Sequence, residues 1–237
     1  MDARLRGLVS VGIAVVLGGI AVGAYAAAAE IALEAELATE IQAPMEVNKA
    51  KDVEKWGPKI DEPSNGEFIW KPGKPATGGD GDHQGLARFV VQLPRADTYA
   101  IWGRVIAWDG NSDSFWVRVR PADPDENPAQ TQNTQFRWGV AQGPNWHWDR
   151  INHWLDGGTF DRQWKLPKGE AEITIYTRET ATMLDSLFIT TEVSPDVGIV
   201  NPRTPTKEDI ERQKRGGQLA VQPRGKLATT WARLRRR

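Results

Sequence analysis

The chain has no cysteine, and only three histidines, three methionines and three tyrosines in 237 residues. Without thiols there are no disulfide staples, no thiolate zinc or iron–sulfur sites and no cysteine nucleophile. His147 and His153 lie six apart around a Trp-rich turn, which matches no helical zinc spacing, and no His-Glu-x-x-His occurs. There is no Gly-x-Ser-x-Gly elbow. Gly78, Gly79 and Gly81 follow no strand-to-helix pattern that would build a phosphate loop. These absences argue against an enzyme. A carboxylate pair for glycoside hydrolysis, whose spacing is spatial, is the one catalytic arrangement they leave open.

Net charge is close to absent too, at −1, but the average hides an asymmetry. Residues 27–200 hold 17 basic and 27 acidic groups, whereas residues 201–237 hold 11 and 3. An acidic main region argues against nucleic-acid binding, since the phosphate backbone demands the opposite sign. Long apolar runs are limited to one, residues 8–29, preceded by Arg4 and Arg6 and ending in small residues with Ala24-Tyr25-Ala26 as an A-x-A exit. Residues 1–26 therefore read as a secretory signal peptide or, uncleaved, a membrane anchor, which would be the only membrane attachment. Either reading sends the rest outward: secreted, periplasmic or on the cell surface.

What remains is patterned as strands. Residues 86–94 put Ala87, Phe89, Val91 and Leu93 on one face, and residues 99–108 are apolar on both, as a central strand would be. Residues 114–120 are expected to bury Phe115, Val117 and Val119 and to expose Trp116, Arg118 and Arg120; residues 171–178 and 184–190 repeat the period of two. Residues 30–42 suit a short helix or a first strand equally. Polar turns separate the strands, and no helical stretch intervenes, so the fold class predicted for residues 30–195 is all-β, an antiparallel β-sandwich. Residues 121–145 read as a long loop excursion. Residues 196–237, with Pro195, Pro202, Pro205 and Pro223 and the basic end Trp231 to Arg237, read as a mostly disordered tail. Within it, 206–215 offers a short amphipathic helix capped by Thr206.

Four stretches together resemble the galactose-binding-like jelly rolls, specifically carbohydrate-binding module families 6 and 35: Ala32-Leu-Glu34-Ala-Glu36, the Tyr99-Ala-Ile-Trp-Gly-Arg104 strand, the Ser112-Asp-Ser-Phe-Trp-Val117 hairpin, and Leu166 through Thr190 with Leu184-Asp185-Ser-Leu. The resemblance implies a non-catalytic module of secreted glycan-degrading systems. It also implies a structural calcium held by Glu34, Glu36 and Asp185, carboxylates being suitable oxygen donors. The loop 179–183, which in ligand-binding members often carries Asn or an aromatic, reads Glu-Thr-Ala-Thr-Met here.

Eleven tryptophans are far more than a chain of this size commonly holds. Sugars present apolar C–H faces ringed by hydroxyls, and indole with carboxylate, amide or guanidinium groups complements both. Trp102 and Phe115 are assigned to the core, and Trp70 and Trp164 to rim packing. The loop-borne set comprises Trp108, Trp138, Trp146, Trp148 and Trp154. From it Trp108, Trp138 and Trp146 are candidates for sugar-facing rings, with Arg104, Asp109, Asn111, Asp113 and Arg178 as hydroxyl partners. The expected partner is a polysaccharide or glycan, together with a carbohydrate-active enzyme or envelope component. The alternative is a structural or adhesion module of the cell envelope, its tryptophans spent on core and partner contacts.

Overall fold

The computed structural model describes residues 27–76, 84–128, 136–155 and 158–216. Residues 1–26, expected to be a signal or anchor, and the basic end 217–237 lie outside the described residues. Two antiparallel sheets face one another. The chain enters with β1 (Glu30–Glu34), a 3-10 turn (Ala35–Leu37), β2 (Glu40–Gln42), β3 (Glu46–Asn48), the short helix α1 (Ala50–Val53) and β4 (Phe68–Trp70). It continues through β5 (Leu86–Leu93), β6 (Asp97–Ala107), β7 (Ser114–Arg120), β8 (Arg137–Gly139) and β9 (Gly143–Arg150). After these come β10 (Asn152–Leu155), β11 (Gly158–Asp161), β12 (Trp164–Leu166), β13 (Gly169–Thr177) and β14 (Met183–Thr190), then helices α2 (Val197–Val200) and α3 (Lys207–Lys214).

One sheet runs β2-β5-β13-β7-β8. The other is built on β6 and β14, with β9 and β12 along the far edge of β6 and β1 and β4 along that of β14; β3 closes it against β4. The strands read from the sequence fall where period two put them. Phe89, Val91, Phe115, Val117, Ile173 and Ile175 from one sheet meet Ile101, Val105, Leu184, Leu187 and Ile189 from the other. Burying each such side chain contributes about 1.5–3 kcal/mol, so this layer is the main source of stability. The 30–42 ambiguity resolves to two strands around a 3-10 turn, and every residue of β1 pairs with β14, from Glu30 opposite Thr190 to Glu34 opposite Ser186.

Four expectations are corrected. Trp70 and Trp164 are not rim residues but buried, at 0% and 3% exposure. Trp116 does point away from the inter-sheet core, yet it too is fully buried, covered by Phe136 and Tyr176 with the Arg178 guanidinium over its ring. An outward side chain is exposed only if nothing crosses over it, and here the chain after β7 does: Val117 N–H donates to the carbonyl of Phe136. The excursion 121–145 is not all loop, since it contains β8 and the start of β9.

Lastly, residues 196–216 are not outside the domain. Asp196 caps α2, and Thr206 and Asp209 form a reciprocal capping box on α3. The Gln213 side chain accepts from Glu34 N–H and donates to the carbonyls of Glu34 and Leu37, pinning α3 to the end of β1. No helix among the described residues is long and apolar enough to cross a membrane.

Candidate functional site

The site grows from β8, a three-residue edge strand paired with β7 through Ser114–Gly139, Phe115–Trp138 and Trp116–Arg137. Alternation sends Trp138 inward and Arg137 and Gly139 outward. Over that outer side lies the separate two-stranded ribbon of β10 and β11. Asn152 joins the two by mimicking a ladder partner: its Oδ1 accepts from Gly139 N–H at 3.1 Å and its Nδ2 donates to the Gly139 carbonyl at 2.7 Å. Trp154 can then lie directly on β8, because a Cβ at position 139 would meet its Cβ and Cγ at 3.0 Å. The Arg137 guanidinium stacks over the indole, 3.1 Å from its ring centre.

Beside this stack opens a cavity of about 580 Å³, lined by Trp154, Arg137, Asn152, Asp149, Asp113 and Gln142 among others. Its polar groups are held in place. Asp113 Oδ2 accepts from Gln142 Nε2 at 3.0 Å. Asp149 Oδ2 accepts from Trp138 Nε1 at 2.6 Å and its Oδ1 from Ala141 N–H. Burial pushes the Asp149 carboxyl up to about 6 against the pull of these donors, and burial with the neighbouring Glu179 also raises Asp113. One indole, two carboxylates, two amides and a guanidinium thus converge on a space the size of a small ligand.

Of the eight ligand residues expected from sequence, only Asp113 lines this cavity. Trp138 is corrected: it has no exposure and tilts against Phe115 in the core, serving the cavity only as the donor that orients Asp149. Asp109 and Asn111 form an Asx turn, Asp109 Oδ1 accepting from Asn111 N–H at 2.9 Å. Arg178 is half-buried and donates to Ser114 Oγ and Glu179. Trp146 and Trp108 are half-buried on the outer face of the larger sheet, packed against Phe68, Trp70, Ile106 and Met183. There Trp146 donates to the carbonyl of Asp61 at 2.8 Å and lies under the Arg104 guanidinium at 5.4 Å. Arg137, Gln142, Asp149 and Asn152 carried no motif. Their role depends on β8 and β9 forming within a polar stretch, which hydrophobic periodicity does not reveal.

Of the three expected metal ligands, Glu34 and Asp185 both bind Ser64, while Glu36 binds the neighbouring Asn65. Asp185 is fully engaged, by Arg104 at 2.6 Å and by Ser64 N–H at 2.8 Å. Glu34 accepts from Ser64 Oγ at 2.6 Å and Glu36 from Asn65 Nδ2 at 2.7 Å, and each keeps one buried carboxylate oxygen without a hydrogen-bond partner among the described residues. Burial lifts Glu34 to about 8 and Glu36 to about 7. Two orphaned, desolvated oxygens fit a hard divalent cation. Even so, no group of three or more acidic or histidine side chains at metal-holding distance exists among the described residues.

The fold is similar to that of family 35 carbohydrate-binding modules. The module from Clostridium thermocellum matches at 16% identity over 67% of this chain and 96% of that one, with a TM-score of 0.43. A Podospora anserina GH26-CBM35 β-(1,4)-mannanase matches at 14% over 75% of this chain, TM-score 0.45, and a Paenibacillus cycloisomaltooligosaccharide glucanotransferase at 18% over 66%, TM-score 0.42. This chain spans 28% and 17% of those two proteins. No protein-family model and no curated protein matches. At these identities and TM-scores the likeness carries no argument, so function has to be argued from the site.

Proposed function

We propose that the chain is an exported, non-catalytic glycan-binding module whose site is the cavity over β8. The supporting observation is Trp154: an indole packed on β8 against Gly139 and Arg137, lining a cavity that also presents carboxylate, amide and guanidinium groups. The ring offers an apolar platform for a pyranose face, and Asp113, Asp149, Asn152 and Arg137 offer acceptors and donors for hydroxyls. Such a site binds at about 4–6 kcal/mol, a dissociation constant from about a millimolar down to tens of micromolar. Export rests on the character of residues 1–26. Native gels cast with β-1,4-mannan, β-1,3-galactan, dextran or polygalacturonate test the reading: at least one retards the protein, and Trp154→Ala weakens the retardation. Absence of retardation on every polymer contradicts it and favours a structural envelope module.

A calcium ion, if bound, would be held by Glu34 and Glu36 and would supply the positive charge their buried oxygens lack. Gln213 ties α3 to the backbone of Glu34, so that charge would also steady the C-terminal helix. Melting in calcium and in chelator checks this. A higher melting temperature with calcium is expected, and identical curves contradict it.

A further inference from the structure

The ribbon of β10 and β11 has two faces, and the proposed function uses one. Pairing sets His153 opposite Phe160 and Trp154 opposite Thr159, so Trp154 and Phe160 leave the ribbon on opposite sides. Trp154 and Thr159 line the cavity over β8. His153 and Phe160 line a second cavity of about 510 Å³, rimmed by Asp161, Gln163 and Lys165. Phe160 is 58% exposed, one of four exposed large apolar side chains among the described residues.

The floor of this second cavity is rigid. Arg162 holds both Asp123 oxygens at 2.7 Å, donates to the Val117 carbonyl at 2.9 Å and lies over the Trp164 ring. His153 Nε2 is buried there with no partner among the described residues. Burial and the Arg162 cation both lower the affinity of His153 for a proton, which leaves a neutral ring able to donate or accept. An exposed ring beside an amide, a carboxylate and an ammonium repeats, with different residues, the chemistry found over β8.

We infer that Phe160 and its surroundings form a second saccharide site, independent of the first, so that one domain grips two glycan chains across a single ribbon. The inference rests on the glycan-binding reading. One sugar ring cannot touch both faces of the ribbon, so the two sites fill separately, and a polymer presenting many chains is bound with avidity.

The test is an NMR titration of protein labelled at tryptophan and phenylalanine with hexasaccharides of β-1,4-mannan, β-1,3-galactan, dextran and polygalacturonate. Shifts of the Trp154 indole and of the Phe160 ring are expected, each with its own saturation curve. Phe160→Ala should weaken the second process at least tenfold and leave the Trp154 curve unchanged; Trp154→Ala should do the converse. Phe160 is exposed, so the melting temperature of Phe160→Ala should stay at the wild-type value. Shifts at Trp154 alone, insensitive to Phe160→Ala, overturn the second site but not the first. Shifts at Phe160 alone overturn the first reading and leave this one standing as a single site. No shift at either ring with any hexasaccharide overturns both.

Discussion

Trp138 and Trp154 belong to opposite sides of the same short strand. Trp138 stands on the inner side of β8, fully buried, its indole N–H spent on Asp149. Trp154 comes from the neighbouring ribbon to lie on the outer side, half-buried, against a glycine and an arginine. The residue type is the same, but one ring is sealed by the second sheet while the other is backed only by the strand it lies on. A tryptophan surplus therefore divides by geometry: five of the ten described indoles are buried outright, and the other five are half-buried.

The largest expected difference comes from emptying the inner side. Trp138→Ala removes a ring packed against Phe115 and Gly103, and should cost about 3–5 kcal/mol in denaturant unfolding. Trp154→Ala should leave stability within about 1 kcal/mol and instead weaken polysaccharide binding at least about tenfold, equivalent to about 1.4 kcal/mol. Were Trp154→Ala to unfold the protein, the contrast between the two sides would be false.

A subtler variant sharpens the contrast. Gly139→Ala sets a methyl group 3.0 Å from the Trp154 Cβ and Cγ, so the ring must shift by a few tenths of an ångström. Binding should fall by a factor of about two to five, with little loss of stability. A separate, pH-dependent effect is expected between the two rings, at Asp149. Its native pKa of about 6 lies above the ordinary value of 3.8, so the native state holds the proton more tightly than the unfolded chain. This group's contribution to stability is therefore present below pH 4 and is lost as pH rises toward about 6. Asp149→Asn should remove that share of the slope, read as the difference between the variant and wild-type unfolding curves from pH 4 to 7.

The parts of the fold that were legible are those governed by a local period. β5, β6, β7, β13 and β14 alternate because one face of each meets the other sheet, and Thr206 announces its helix because capping is local chemistry. Trp116 shows the limit of the period, which gives a direction but not a cover: Phe136, arriving from beyond β7, closes over it. Gln213 shows another limit, since one amide reaching the end of β1 from 179 residues away leaves no pattern in sequence. The site was harder still. Asp113 was visible as a turn acid, but Arg137, Asp149 and Asn152 acquire meaning only once an edge strand and a ribbon stack, and Trp138 and Trp154 looked alike until they did.

The central claim is that saccharide meets the outer side of β8. The indole N–H resonances of ¹⁵N-tryptophan-labelled protein, assigned by single substitutions and titrated with oligosaccharides, test it most directly. The Trp154 resonance should move and saturate while those of Trp108 and Trp146 stay in place. Saturable movement of Trp108 or Trp146 with Trp154 stationary would contradict the account.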